Sequence, residues 1–250
     1  MQGEMQDGML NRRVPLLELA GPSGSGKSTT YRQLAASSGD QLVPIVRFLP
    51  GLVLKSRAYW LLLPVVLVLF RKLLLEVYRD RESRTLKPIL HILGTLSWVQ
   101  ARQSIAHGQA LLTRKTVLVD EGFLQAGLGF SYQLGDAFTR HWRTYAQSLP
   151  RGNWYAVFQC RPRVAAQRAL GRPSGAPHNM RGYLASLDSN MENALTRTNK
   201  QYQRLLNRAM RDARLTWFPV DGELPVADCA EQLLRAVCPP LGARVSGTSS

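Results

Sequence analysis

Cysteine is scarce in this 250-residue chain: Cys160, Cys229 and Cys238 are all there is, with no close pair and no CxxC spacing. A disulfide framework and a cysteine-based zinc site are therefore not expected, and a reducing compartment fits better. Histidine is as thin. His91, His107, His141 and His178 are scattered without HExxH-like spacing, so metal ligation by them is not expected. Acid is the third shortage, with 17 Asp+Glu against 32 Lys+Arg and a net charge of +15. That surplus calls for an anionic partner: nucleotide, polynucleotide or acidic lipid. No uncharged run reaches the roughly 20 residues a helix needs to span a bilayer. Met1 to Arg13 lacks the apolar core of a translocation signal, and no internal repeat is visible. What is present is ordinary for a folded domain. Hydrophobic residues at 45% and charged residues at 20% exclude a disordered or collagen-like chain. The length suits one α/β domain or at most two small ones.

Short apolar runs mark the strands: Val14–Ala20, Gln41–Phe48, Thr116–Asp120, Asn153–Cys160 and Leu215–Val220. Helical sequence lies between them. It includes a helix from about Ser28 to Ala36, a long stretch to about Arg114 punctuated by Pro64, Pro88 and Gly94, and a last helix over Val226–Val237. Short buried strands alternating with helices predict a three-layer α/β/α fold around a five-stranded parallel sheet. The expected organisation is a loose leader over 1–13, one domain over 14–240 and a flexible tail over 241–250. Within the domain, 51–115 forms a helical insertion and 161–182 a lid.

The decisive motif is Gly21-Pro22-Ser23-Gly24-Ser25-Gly26-Lys27-Ser28, which fits GxxxxGK[ST] between a predicted strand and a predicted helix. Its glycines let successive backbone N–H groups turn inward, and the helix N-terminus adds its dipole, so the segment is built to hold phosphates. Gly21, Ser23, Gly24, Ser25, Gly26, Lys27, Ser28 and Thr29 are the candidate nucleotide-binding residues. Lys27 would reach the β- and γ-phosphates of ATP, and Ser28 would place its hydroxyl on Mg²⁺.

Two further pieces complete the chemistry. The run Val117–Val119 ends in Asp120 and Glu121, at the sheet edge where ligands collect. Asp120 is the candidate Mg²⁺ acid and Glu121 the candidate base for an attacking hydroxyl, with the two roles open to exchange. Arginines follow the Trp154–Cys160 strand. Between Arg161 and Arg214 there are eleven Lys/Arg against three Asp/Glu (Asp188, Glu192 and Asp212). Arg163, Arg168 and Arg172 are the candidate catalytic cations, on a Gly/Pro-rich lid suited to a phosphoryl group in flight.

In this order of motifs the chain resembles the P-loop nucleoside and nucleotide kinases, most closely the thymidylate kinase-like group, over roughly Val14 to Val237. Arg47-Phe48-Leu49-Pro50-Gly51 is similar to that family's Arg-Glu-Pro-Gly segment. Val164-Ala165-Ala166-Gln167-Arg168 resembles the start of its lid helix, and Trp217 to Gly222 its last strand and turn. The resemblance implies an ATP- and Mg²⁺-dependent kinase in which Arg47 and Arg102 contact the acceptor, with Arg102 on a helix ending near Gly108. Two positions depart from the pattern. Phe48 replaces the acid of Arg-Glu-Pro-Gly, and Glu121 replaces the arginine of Asp-Arg-Tyr. A carboxylate there repels a phosphate acceptor and suits a hydroxyl.

Three functions are weighed on these residues: a kinase acting on a nucleotide, a nucleoside or a sugar or lipid alcohol; a nucleotide-dependent ATPase or switch module; and a nucleic-acid-associated ATPase. The third lacks basic residues interleaved with aromatics, so specific nucleic-acid binding is not expected. Cytoplasmic placement is expected. One segment stands apart. Ala58–Phe70 is thirteen uncharged residues, interrupted by Pro64 and followed by Arg71-Lys72. It reads either as a helix buried in the insertion or at a homodimer contact, or as an in-plane helix within 55–75. In the second case Lys55, Arg57, Arg71 and Lys72 would meet the phosphates of an anionic inner membrane surface.

Overall fold

The computed structural model describes residues 16–37, 42–45, 58–80, 86–134, 136–173, 180–212 and 215–237. At its centre is β1 (Leu16–Ala20), buried along its whole length because both edges and both faces are covered. Strand β3 (Thr116–Val119) pairs with one edge and β4 (Trp154–Gln159) with the other. Outside them lie β2 (Leu42–Pro44) and β5 (Thr216–Asp221), giving the order β2-β3-β1-β4-β5 with every pairing parallel. This is the three-layer α/β/α arrangement that the sequence predicts. The chain builds β1, β2 and β3 to one side of the sheet, then crosses to β4 and β5. A crevice therefore opens beyond the carboxyl ends of β1 and β3, where such sheets bind ligands.

Alternation along β1 sorts the two faces. Leu17 and Leu19 pack with Tyr31 and Leu34 of α1 (Lys27–Ser37). They also meet Cys229, Ala230 and Leu233 of the last helix, α11 (Val226–Val237). Ala20 belongs to the larger cluster on the opposite face. That face is covered by α4 (Leu86–Thr113), α5 (Phe123–Gln133), α7 (Trp142–Gln147), α8 (Pro162–Leu170) and α10 (Met191–Asp212), with α6 (Asp136–Arg140) and α9 (Arg181–Leu187) at its margins.

Neither Gly94 nor Gly108 interrupts α4, which runs unbroken for 28 residues. A helical glycine costs about 1 kcal/mol relative to alanine, and burial of Ile92, Leu96, Val99 and Ala106 on the same helix outweighs that. Pro88 falls in the first turn, where no intrahelical donor is lost. The missing side chain of Gly94 is used: a Cβ there would lie 3.5 Å from the Trp60 ring.

The apolar run folds as a 3-10 turn (Ala58–Leu62) and α2 (Leu63–Leu69), followed by α3 (Arg71–Arg79). Phe70 joins them almost without a break, donating to the Val66 carbonyl while its own carbonyl accepts from Leu74. The inward row is Val66, Phe70, Leu73 and Val77. Phe70 stacks on Tyr145 and tilts against Phe123, with ring centroids 5.7 and 5.5 Å apart. The run is thus buried on one face only. Leu61, Val65, Leu67, Val68 and Leu69 are exposed on the other. Among the described residues no helix is long and apolar enough to cross a membrane. The expected leader 1–13 and tail 241–250 lie outside the described residues, as do Lys55 and Arg57.

Candidate active site at the carboxyl edge of β1 and β3

The glycine-rich segment turns sharply between β1 and α1. Gly24 and Gly26 sit at φ +86° and +96°, a region that side chains rarely enter. Gly24 also lies against α8, where a Cβ would come within 1.9 Å of the Ala165 carbonyl oxygen. Glycine is required there on both counts. The N–H groups of Thr29 and Thr30 bond to the Gly26 carbonyl, which starts α1 and leaves the Lys27 and Ser28 amides ahead of the helix's own ladder. Lys27 curls over the loop and donates to the carbonyls of Gly21 and Pro22 at 2.7 and 2.8 Å. Burial pushes its pKa down to about 7, with the nearby Arg172 charge acting in the same direction and Glu121 against it. Ser28 and Thr29 are exposed at the helix start.

Asp120 and Glu121 follow β3 directly, beside the loop because β3 pairs with β1. One guanidinium holds both. Arg102 donates to Asp120 at 2.9 Å and to Glu121 at 3.4 Å, with its Cζ 4.8 Å from the centroid of the Trp98 ring. The resemblance places Arg102 on the acceptor; in this geometry its bonds go to the two acids. Arg47 lies outside the described residues.

The lid arginines part company. Arg172 lines the same cavity as Lys27, Ser28, Asp120 and Glu121. Arg168 donates to the carbonyls of Gly222 and Glu223, on the turn after β5. That turn touches the phosphate loop, since a Cβ on Gly222 would lie 2.5 Å from the Ser25 carbonyl oxygen. Arg163 points away and pairs with Glu192 at the start of α10. Residues 174–179 of the expected lid lie outside the described residues.

The cavity that these groups enclose holds about 380 Å³. Beyond the phosphate loop and the acids it is walled by Trp98, Val99, Ala126, Phe130, Met180 and Tyr202, with Thr95 and Gln125 as polar points. A larger hollow of about 900 Å³ runs along β5, rimmed by Arg161, Asp221 and Arg235, but no residue of the phosphate loop reaches it. Among the described residues, no three His, Cys, Asp or Glu side chains gather as a metal cluster. The residues that could hold Mg²⁺ are one hydroxyl, Ser28, and one carboxylate, Asp120, both lining the cavity beside the glycine-rich loop. That suits a cation which keeps most of its water and arrives with a polyphosphate.

Three contributors escape the motif reading. Asn199, fully buried on α10, donates to the carbonyls of Ser23 and Pro162 and so ties the loop to α8. Gln125 accepts the Gly21 N–H through Oε1 at 3.2 Å. Glu18 is a fully buried carboxylate in β1. Its signal was visible: an acid inside the otherwise apolar strand Leu16–Ala20.

No family model matches the sequence, and no curated protein does. Among solved structures the chain is similar to deoxyadenosine kinase from M. mycoides with bound dATP. That match has 15% identity, covers 89% of this chain and 98% of that one, and has a TM-score of 0.48. It is also similar to the same enzyme with products dCMP and a flexible dCDP bound, again at 15% identity, with 89% and 97% covered and a TM-score of 0.46.

Proposed function

We propose that the chain is a Mg²⁺-dependent phosphotransferase, a single kinase-like domain over 14–240 that moves the γ-phosphoryl group of ATP to a hydroxyl of a small acceptor. One observation carries this reading: the phosphate loop, two carboxylates and Arg172 converge on a single cavity with an apolar far wall. Amides of the loop between Ser23 and Ser28 hold the triphosphate, and Lys27 exchanges the carbonyls of Gly21 and Pro22 for phosphate oxygens. Ser28 and Asp120 are the residues that would hold Mg²⁺, whose part is to neutralise charge on the phosphates. Glu121, the more exposed of the two acids, takes the acceptor's hydroxyl proton, and Arg102 fixes the direction of its carboxylate. Arg172 neutralises charge on the phosphoryl group in transit. Arg168 acts by bracing the Gly222 turn, and Arg163 by fastening α8 to α10.

The far wall favours an acceptor with a flat apolar part, because Trp98, Phe130 and Tyr202 border it. With Glu121 at the point of transfer, a nucleoside hydroxyl fits better than the phosphate of thymidylate. Incubation with γ-labelled ATP, Mg²⁺ and a panel of nucleosides, nucleotides, sugars and lipid alcohols tests the reading. Transfer of label to a hydroxyl acceptor is expected. Release of inorganic phosphate at a rate indifferent to every acceptor would instead mark a nucleotide-driven switch.

A second reading concerns the insertion. The outward row Leu61, Val65, Val68 and Leu75 is apolar, with Arg71, Lys72 and Arg79 exposed alongside. This pairing suits an anionic bilayer surface, with apolar side chains in the acyl boundary and cations at lipid phosphates. Co-sedimentation with phosphatidylglycerol vesicles at low salt, lost when Arg71 and Lys72 become Glu, is the expected result. A concentration-dependent dimer in sedimentation, with no vesicle binding, would assign the face to a second copy of the chain.

A further inference from the structure

A carboxylate in the middle of a central strand needs a reason, since burying one costs several kcal/mol unless something local holds it. Glu18 lies in register with Val119 on β3 and Tyr155 on β4. Its Oε1 accepts the Gln125 N–H at 3.1 Å. Its Oε2 is buried without a partner and fills the place of a side chain on Gly122, where a Cβ would lie 2.2 Å away. Glu18 therefore sits under the first turn of α5, whose free amides and dipole favour an anion. That turn begins two residues after Glu121. The contact continues into the phosphate loop, because the side chain of the same Gln125 accepts the Gly21 N–H. From the other side the Tyr145 hydroxyl donates to the Phe123 carbonyl.

We infer that Glu18 is a positioning residue whose ionised carboxylate pins the first turn of α5, and with it the Asp120–Glu121 turn, against the start of the phosphate loop. The kinetic side of this rests on the phosphotransferase reading; the structural side does not. The groups facing Glu18 are Arg102 from α4, Tyr145 from α7, Tyr155 from β4 and the amides of Phe123, Leu124 and Gln125. Burial raises the Glu18 pKa to about 7, against those amides and Arg102, which lower it. Burial first, and then Glu18 itself, pushes both phenols well above their usual range, so neither titrates near neutrality. Pinning is thus strongest above neutral pH and relaxes as Glu18 takes up its proton.

The test is Glu18→Gln in the full chain, which keeps an acceptor for the Gln125 N–H but removes the charge. ATP affinity should stay within about 3-fold of wild type while turnover at pH 8 falls about 10-fold, the loss expected when positioned groups drift. At saturating ATP, whose phosphate charge keeps Lys27 protonated, wild-type turnover should climb through pH 7, and the variant's should be flat there. Amide hydrogen exchange at Phe123, Leu124 and Gln125, corrected for intrinsic rate, should be faster in the variant, and faster in wild type at pH 5.5 than at pH 8. A variant with the wild-type pH profile, or with ATP affinity falling in step with turnover, overturns the inference. Should the variant not fold, wild-type exchange at those amides that ignores pH overturns it alone. Wild type that transfers phosphate to nothing, yet whose exchange responds to residue 18, overturns only the phosphotransferase reading.

Discussion

The carboxyl edge of the sheet and the α2–α3 insertion break opposite rules of protein surfaces. At the sheet edge, charge is withdrawn: Glu18 is fully buried and Lys27 half-buried, and both have pKa values displaced to about 7. On the insertion, grease is shown: Leu61 is 81% and Val68 69% exposed. Most proteins avoid both arrangements, the first because desolvated ions are costly and the second because apolar patches are sticky. The difference lies in what each region awaits. On the proposed function the sheet edge awaits a ligand that brings charge with it, whereas the insertion offers apolar area edged by the exposed Arg71 and Lys72.

The strongest break of this contrast is Lys27→Ala. It removes the ammonium that the cavity is built around, and phosphoryl transfer should fall by a factor of about 10³ or more, read in a labelled-ATP assay. Thermal stability should hold, because the loop's φ values and its contacts with α8 and Gln125 do not depend on the side chain. Next in size is Phe70→Ala on the buried row of the insertion. It deletes a ring packed between Phe123 and Tyr145 and should cost about 3–5 kcal/mol, measured by denaturant unfolding. Val68→Ser, two residues away on the exposed row, should change stability by less than about 0.5 kcal/mol and yet weaken vesicle binding. If the two substitutions cost alike, the one-faced burial of α2 is wrong.

The smallest effect is a slope. The Glu18 carboxyl has its pKa raised in the folded state, so the folded protein binds more protons than the unfolded chain between pH 4.5 and about 7. The stability it contributes is full below pH 4.5 and is lost as pH rises through 7. Unfolding midpoints should decline over that window, and Glu18→Gln should flatten this part of the decline. An unchanged slope would mean that the carboxyl titrates normally.

What could be read in advance follows the range of the forces involved. The phosphate loop was legible because its requirement is local: glycines where φ is positive, a lysine and a hydroxyl at the helix start. The five strands were legible for the same reason, as short apolar runs bounded by turns. Arginine assignments were not. Spacing put Arg163, Arg168 and Arg172 together as one cluster, but their partners are Glu192, the Gly222 turn and the cavity. Those partners come from α10 and from the end of β5, which no local pattern announces. Helix α4 shows the same limit, since Gly94 and Gly108 look like stops until Trp60 and the buried row that includes Ile92, Leu96 and Val99 are seen beside them. For Arg102 the resemblance implies contact with the acceptor, while its bonds to Asp120 and Glu121 depend on α4 crossing the end of β3.

The contact between Gly24 and α8 has a mechanical meaning. A helix touching the loop at Ala165, with Ala169 next in line at 3.0 Å from the same point, behaves as a ruler laid against it. Arg172 follows two residues after that helix ends, so its backbone is set against the loop and its exposed side chain spans the rest of the way to the lysine. Lengthening α8 by one alanine before Gly171 would carry that guanidinium about 1.5 Å further along the helix axis and around it by about a quarter turn, while every residue of the loop stayed as it was.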